Sequence, residues 1–221
     1  QNTLPSEITA SSRQKDINNL LERISRDDCK LIIIHGRSGV GKSSLVNAGL
    51  VPALNNISIS ARDTIPVVVQ AYKNWLGTLV NSLDKALQKK SQLRKDNNFI
   101  KLEKNHTKNQ ESIFPITSKQ SNSKSENNGS YLNDFRDQYT TIESSVTAKL
   151  KNNSENNLLT VIVFDQFEEF LFLSNSSEDR EVFYKFLCNC LNIPFVKVIL
   201  SMREDYLPVS YTHLTLPTMD S

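Results

Sequence analysis

The chain runs to 221 residues with only three cysteines, one tryptophan and a net charge of just +2. Cys188 and Cys190 stand two apart in a helical pattern, on different faces, and no second Cys/His pair completes a metal site with them or with Cys29. The reading is three reduced, partly buried thiols in a cytoplasmic protein. The small net charge implies no strong pull toward nucleic acid or an acidic membrane surface. No apolar run approaches the roughly 20 residues of a membrane span. The first residues, QNTLPSEITASSRQKD, lack the basic start and apolar core of a signal peptide. Hydrophobic residues make up 38% of the chain, on the low side, and a polar stretch described below accounts for it. The length suits one α/β domain with a proper core.

What is present centres on LIIIHGRSGVGKSSL, Leu31 to Leu45. An apolar, β-branched run leads into Gly36, four spacers, Gly41, Lys42 and Ser43. This is the phosphate-binding P-loop pattern, with a strand before it and a helix expected after it. Phosphate oxygens are held by backbone N–H groups that point inward and by the start of the following helix, and side chains would block that approach. Glycine is therefore needed at Gly36, Gly39 and Gly41. Ser38 and Val40 complete the cradle. Lys42 adds a mobile cation for the β- and γ-phosphates, and the Ser43 hydroxyl is placed to bind Mg²⁺. Ser44 suits a phosphate contact, solvent or a helix cap equally well. The loop by itself does not distinguish a kinase, a motor, a GTPase or a switch.

Along the chain, Ser11 to Arg26 reads as a helix with Ile17, Leu20, Leu21 and Ile24 on one stripe. Its roles are to pack beside a nucleotide base or to cover a sheet edge. Lys42 to Val51 is expected to be helical and to end near Pro52. A polar link, Asn55 to Asp63, follows, then a buried strand, Ile65 to Ala71. A helix from Tyr72 to Leu87 carries Trp75 on its apolar face, as core rather than as a ligand platform. Gln88 to Ser130 is rich in Asn, Ser, Lys, Gln and Glu and buries too little to offset its ordering entropy, so it reads as a largely disordered surface insertion. A helical stripe returns from Tyr131 to Leu150, followed by a polar hinge, KNNSENN.

The second anchor is LLTVIVFDQFEEF. Asp165 ends an apolar strand, where α/β sheets gather their ligands, and can hold Mg²⁺ opposite Ser43. Glu168 and Glu169 follow; one of them can position or deprotonate an attacking water, while solvated acids at a helix start account for Glu169 equally well. A helix capped near Ser177 leads to a strand, Phe195 to Ser201, and then to Arg203. An arginine there can reach a γ-phosphate; the alternative is a surface arginine paired with Glu204 or Asp205. Alternating strands and helices imply a three-layer α/β/α fold with a mainly parallel sheet. The extra strand leaves room for the P-loop strand and the acid strand not to be neighbours, as in ATPases with an additional catalytic acid.

GRSGVGKSSLVNAGLVPAL, VIVFDQFEEFLF and VKVILSMREDYL together resemble the nucleotide-binding domain of STAND-class signalling NTPases, in the bacterial branch that often precedes β-propeller or other repeats. DQFEEF is similar to the D-G-x-D-E form of NACHT-type relatives. That resemblance assigns Mg²⁺ binding to Asp165, the base to Glu168 and γ-phosphate sensing to Arg203. The likeness covers about Ser11 to Leu207, apart from Gln88 to Asn157. It implies an ATP-binding, slowly hydrolysing switch in antiviral defence or programmed-death signalling, open and self-associating with ATP and closed with ADP. Relatives show a G-R-x-x-E-like motif in the first helix, which Arg13 and Asp16 echo in SSRQKDI. They also continue into a further strand, a helical lid, a winged helix and repeats, so those modules are expected outside this stretch. Val209 to Thr218, VSYTHLTLPT, resembles a translated sequencing-adapter sequence. The expectation is that residues 1–30 form a helix and lead-in, 31–208 the NTPase domain, and 209–221 an artefact, the alternative being a polar C-terminal strand. On the artefact reading Tyr211 and His213 have no function. Competing readings are a nucleotide-dependent scaffold without useful turnover and an AAA+- or ABC-like motor. The motor would need a trans arginine finger or a signature helix, and neither is visible.

Overall fold

The computed structural model describes residues 5–102, 131–174 and 177–207. Its frame is a five-stranded sheet in the order β1-β5-β4-β3-β2, built from β1 (Leu31–Gly36), β2 (Ser58–Ile59), β3 (Arg62–Val69), β4 (Leu158–Phe164) and β5 (Val196–Arg203). The four long strands are parallel and only the β2–β3 pair is antiparallel. All seven residues of β4 are buried. A parallel strand covered on both faces reads as such a continuous apolar run, which is what LLTVIVF is.

Helices cover both faces. Leu20 and Ile24 of α1 (Pro5–Ser25), together with Val46, Leu50 and Leu54 from the segment after the P-loop, pack on Ile32, Val161, Val163 and Ile199. On the other face lie α4 (Trp75–Leu102), α5 (Tyr131–Glu155), α6 (Glu168–Leu173) and α7 (Ser177–Asn192). There Leu79, Leu83, Val146, Leu150, Phe183 and Phe186 pack on Val67, Ile162, Phe164 and Leu200. Successive strand residues point to opposite faces, so Val163 and Phe164 serve the two cores in turn. Trp75 belongs to this second core, with its ring 5.0 Å from those of both Phe183 and Phe186.

Register places the chemistry at one edge. Gly36 pairs with Arg203 across β1 and β5, and Phe164 pairs with Val69 on one side and Leu200 on the other. The residues that follow each strand therefore emerge together at the C-terminal edge of the sheet, where parallel α/β sheets bind ligands.

Several boundaries differ from the sequence expectation. The helix after the P-loop does not stop at Pro52. It passes from α2 (Lys42–Ser44) through a π-helical turn, Leu45–Leu50, into α3 (Val51–Asn56), with Pro52 two residues beyond the π-helical turn. The polar link holds a hairpin instead, with Ser58 opposite Asp63. Its turn residues Ser60 and Ala61 have φ of 50° and 61°, left-handed values normally signalled by Asn or Gly. Helix α4 continues through Leu102, so residues 88–102 are helical where the insertion was expected to begin. Lys, Gln, Leu and Arg are good helix formers even without an apolar stripe. Likewise α5 runs on to Glu155, into the expected polar hinge. The remainder of the insertion, residues 103–130, and the tail from 208 onward, on which the adapter reading falls, lie outside the described residues.

No helix among the described residues is long and apolar enough to cross a membrane. The three cysteines are free, and Cys190 is buried in the second core, which pushes its thiol up to about 12.

Phe183 is fully buried, with its ring 4.5 Å from that of Phe170, 5.1 Å from Phe167 and 5.2 Å from Phe164. Phe183→Ala should lower stability by about 3–5 kcal/mol. Urea unfolding followed by fluorescence of Trp75 measures this, and an unchanged midpoint would mean the cluster does not carry the core.

Candidate functional site

The P-loop leaves β1 at Gly36 and enters α2 at Lys42. Gly39 and Gly41 have φ of 79° and 84°, the left-handed conformation that glycine adopts without a Cβ clash. Alternating such residues with ordinary ones turns successive N–H groups toward one concavity. Ser38, Gly39 and Val40 form the exposed rim of this loop, and Ser44 is exposed on α2. Lys42 folds back over the loop, its Nζ donating to the carbonyls of Gly36 at 2.7 Å and Arg37 at 2.9 Å.

Asp165 follows directly on β4 and is fully buried. A buried carboxylate needs donors to replace water, and it has four. Ser43 Oγ donates to Oδ1 at 3.1 Å, as does the Gln166 N–H, also at 3.1 Å. Gln70 Nε2 donates to Oδ2 at 3.1 Å, and Asn47 Nδ2 lies 3.4 Å from the same oxygen. The Tyr72 hydroxyl donates to the Asp165 carbonyl at 2.7 Å. Burial, reinforced by the charges of Asp165, Glu169 and Glu168, pushes the Tyr72 phenol far up, so it remains a donor at any physiological pH.

The turn after Asp165 aims the next acids. Gln166 has φ of 58°, an uncommon value for a residue with a side chain. The chain then returns to β5 as the Phe167 N–H donates to the Ser201 carbonyl at 2.8 Å. This places Glu168 beside the tip of β5, half-buried, its Oε2 accepting from the Arg203 N–H at 3.3 Å. Glu169 faces solvent. Arg203 is on the strand between the P-loop strand and the acid strand. Its guanidinium pairs with Asp205 at 2.6 Å, the hydrogen bond that chiefly raises its pKa, while its Nε is buried without a partner. The arrangement thus contains the ion pair weighed as the alternative for this arginine.

The fold brings Gly36, Lys42, Ser43, Asp165, Glu168 and Arg203 to one sheet edge. Asn47, Gln70 and Tyr72, all on Asp165, were not singled out in the sequence. Two of them carried a signal. Asn47 is four residues past Ser43, on the same helix face. Gln70 is the first polar residue after VVV, directly beyond the end of β3, the strand adjacent to β4. Arg13, an echo of a motif in the sequence, is seated on the P-loop itself, its guanidinium donating to the Val40 carbonyl at 2.7 Å and the Gly41 carbonyl at 2.8 Å.

The family model described as Novel STAND NTPase 1 matches residues 11–219. The chain belongs to that family. It is a nucleotide-binding P-loop NTPase domain of STAND type. No curated protein matches the chain. Among solved structures, a similar one is the ORC2 protein of Aeropyrum pernix in its ADPNP–ADP complexes, at 15% identity and a TM-score of 0.46. That match covers 98% of this STAND NTPase but 45% of the archaeal chain, so the present chain spans under half the length of its structural relative.

The Tyr72 bond is open to direct measurement in this STAND NTPase. Tyr72→Phe removes a buried donor from the Asp165 carbonyl and should cost about 1–2 kcal/mol. Chemical denaturation of the two proteins side by side would give equal midpoints if the bond contributed nothing.

Proposed function

We propose that the chain is an ATP-binding, slowly hydrolysing switch domain of a larger cytoplasmic signal-transduction NTPase, with defence as the class of output the family resemblance implies. The observation that carries this reading is the hydrogen bond from Ser43 to Asp165, which joins the P-loop to the acid-bearing strand at 3.1 Å. Those two groups are hard oxygen donors, one hydroxyl and one carboxylate. They fit Mg²⁺, which takes few protein ligands and completes its shell with water and phosphate oxygens. The metal, when bound, neutralises charge on the phosphates.

The chain's own residues supply the rest. The N–H groups around Gly39, Val40 and Gly41 hold the phosphates. Lys42 exchanges the Gly36 and Arg37 carbonyls for β- and γ-phosphate oxygens. Glu168 takes a proton from water as its oxygen bonds to the γ-phosphorus. The bond from that phosphorus to the β–γ bridging oxygen breaks, and ADP and inorganic phosphate leave. Arg203 leaves Asp205 and turns to the γ-phosphate. Glu168 and Arg203 are both engaged elsewhere before they act, which supports slow turnover. The same engagement favours a second reading, a scaffold that binds ATP without turnover. Self-association in the ATP state and winged-helix or repeat modules in the whole protein complete the proposal.

Titration of Mg-ATP into the wild type, Lys42→Ala and Glu168→Gln, with phosphate release measured in parallel, tests it. Lys42→Ala should weaken binding at least about tenfold by removing a charge-assisted contact. Glu168→Gln should bind normally with turnover lowered about 10²- to 10⁴-fold. Tight binding by Lys42→Ala would sink the reading, and no phosphate release from the wild type would favour the scaffold.

A further inference from the structure

Helix α1 touches the P-loop element at two glycines. At Gly41 a Cβ would lie 2.4 Å from Nη2 of Arg13. At Gly49, in the π-helical turn, a Cβ would lie 2.6 Å from Cδ1 of Ile17. Arg13 and Ile17 are four apart and so share a helix face. Below them Leu20 and Ile24 continue the same stripe into the core with Val46 and Leu50. The helix is therefore seated along the whole phosphate-binding segment, and at its upper end one guanidinium grips two loop carbonyls.

Those carbonyls belong to the peptide planes Val40–Gly41 and Gly41–Lys42. In a trans peptide the C=O and N–H point in opposite directions. Holding the two carbonyls on the α1 side therefore directs the N–H groups of Gly41 and Lys42 to the other side, toward the loop's concavity. Glycine on its own would let the Val40–Gly41 plane flip, because both hands of φ are open to it. The Gly41 carbonyl is also tied by the Leu45 N–H at 2.9 Å, whereas Arg13 holds the Val40 carbonyl from outside the loop. The guanidinium fork sets one nitrogen on each carbonyl, Nη1 on Gly41 and Nη2 on Val40, in a fixed planar geometry.

We infer that Arg13 is a positioning residue of the phosphate site, one that clamps the loop's peptide planes from behind and links the seating of α1 to nucleotide binding. This rests on the nucleotide-binding reading above. Because linkage is reciprocal, nucleotide that orders the loop also tightens the docking of α1. The role is distinct from reading a base, since the contacts are to backbone carbonyls of the loop.

The test compares the wild type, Arg13→Lys, Arg13→Ala and Lys42→Ala, with Mg-ATP and Mg-tripolyphosphate as probes. Arg13→Lys keeps the charge but replaces the rigid two-nitrogen fork with a single compact ammonium. The expected result is at least about tenfold weaker binding for both Arg13 variants, as for loss of two charge-assisted hydrogen bonds. The loss should be equal for the two probes. Amide hydrogen exchange of α1 should slow on adding Mg-ATP to the wild type and not in Arg13→Lys. Wild-type affinity in Arg13→Lys would show that charge alone suffices and overturn the clamp. A loss confined to Mg-ATP, with tripolyphosphate unaffected, would overturn it in favour of base contact. If Arg13→Ala does not fold, Arg13→Lys decides. Normal binding by Lys42→Ala would instead remove the nucleotide reading itself, so the two failures are separable.

Discussion

The hydrogen bond between Ser43 and Asp165 joins groups 122 residues apart in the chain and depends on the register of the whole C-terminal edge. It exists only because two parallel strands end at matching heights with one strand between them. That intervening strand is β5, whose backbone pairs with β1 on one side and β4 on the other. Slipping β4 by one residue would turn Asp165 to the opposite face of the sheet. The apolar alternation of Val161, Ile162, Val163 and Phe164 between two cores opposes that slip. The core thus acts on function through register: packing holds the carboxylate at the height of the loop.

Burial of Asp165 is a second constraint. A fully buried carboxylate is costly without donors, and this site provides them from three elements: Ser43 and Asn47 from the P-loop segment, Gln70 from the end of β3 and Gln166 from its own turn. The π-helical turn at Leu45–Leu50 lies next to this cluster, and such turns are frequent at functional sites. Asn47 lies within it and also donates to the Ser43 carbonyl at 2.9 Å, bridging backbone and acid. The helix that passes through Pro52 and the exposed amide beside Asp165 belong to one arrangement. The aromatic cluster of Tyr72, Phe167 and Phe170 then supports the turn from below, with Tyr72 6.2 Å from each of the two phenylalanines.

Much of the fold was legible because its signals are local. LLTVIVF is the continuous apolar run of a doubly covered parallel strand, and it is β4 from its first residue to its last. The β2 hairpin was not legible because Ser60 and Ala61 carry no left-handed signature. The extension of α4 to Leu102 was hidden by polarity, since a helix without an apolar stripe has no period to detect. The polar insertion was expected from composition, and composition cannot place the residue at which a helix ends.

The sequence by itself determined the chemistry: a loop shaped for phosphate, an acid ending a strand, and a family whose members are NTPases. Those features depend on residue types at short spacing, which any chain displays in linear form. Tertiary structure alone decided which groups meet. It sent Glu168 to the β5 tip and Glu169 to solvent, paired Arg203 with Asp205, gathered Gln70 and Tyr72 around Asp165, and seated Arg13 on the Val40 and Gly41 carbonyls. These contacts join distant segments through strand register and left-handed turns, and neither property is written in the spacing of residues along one segment.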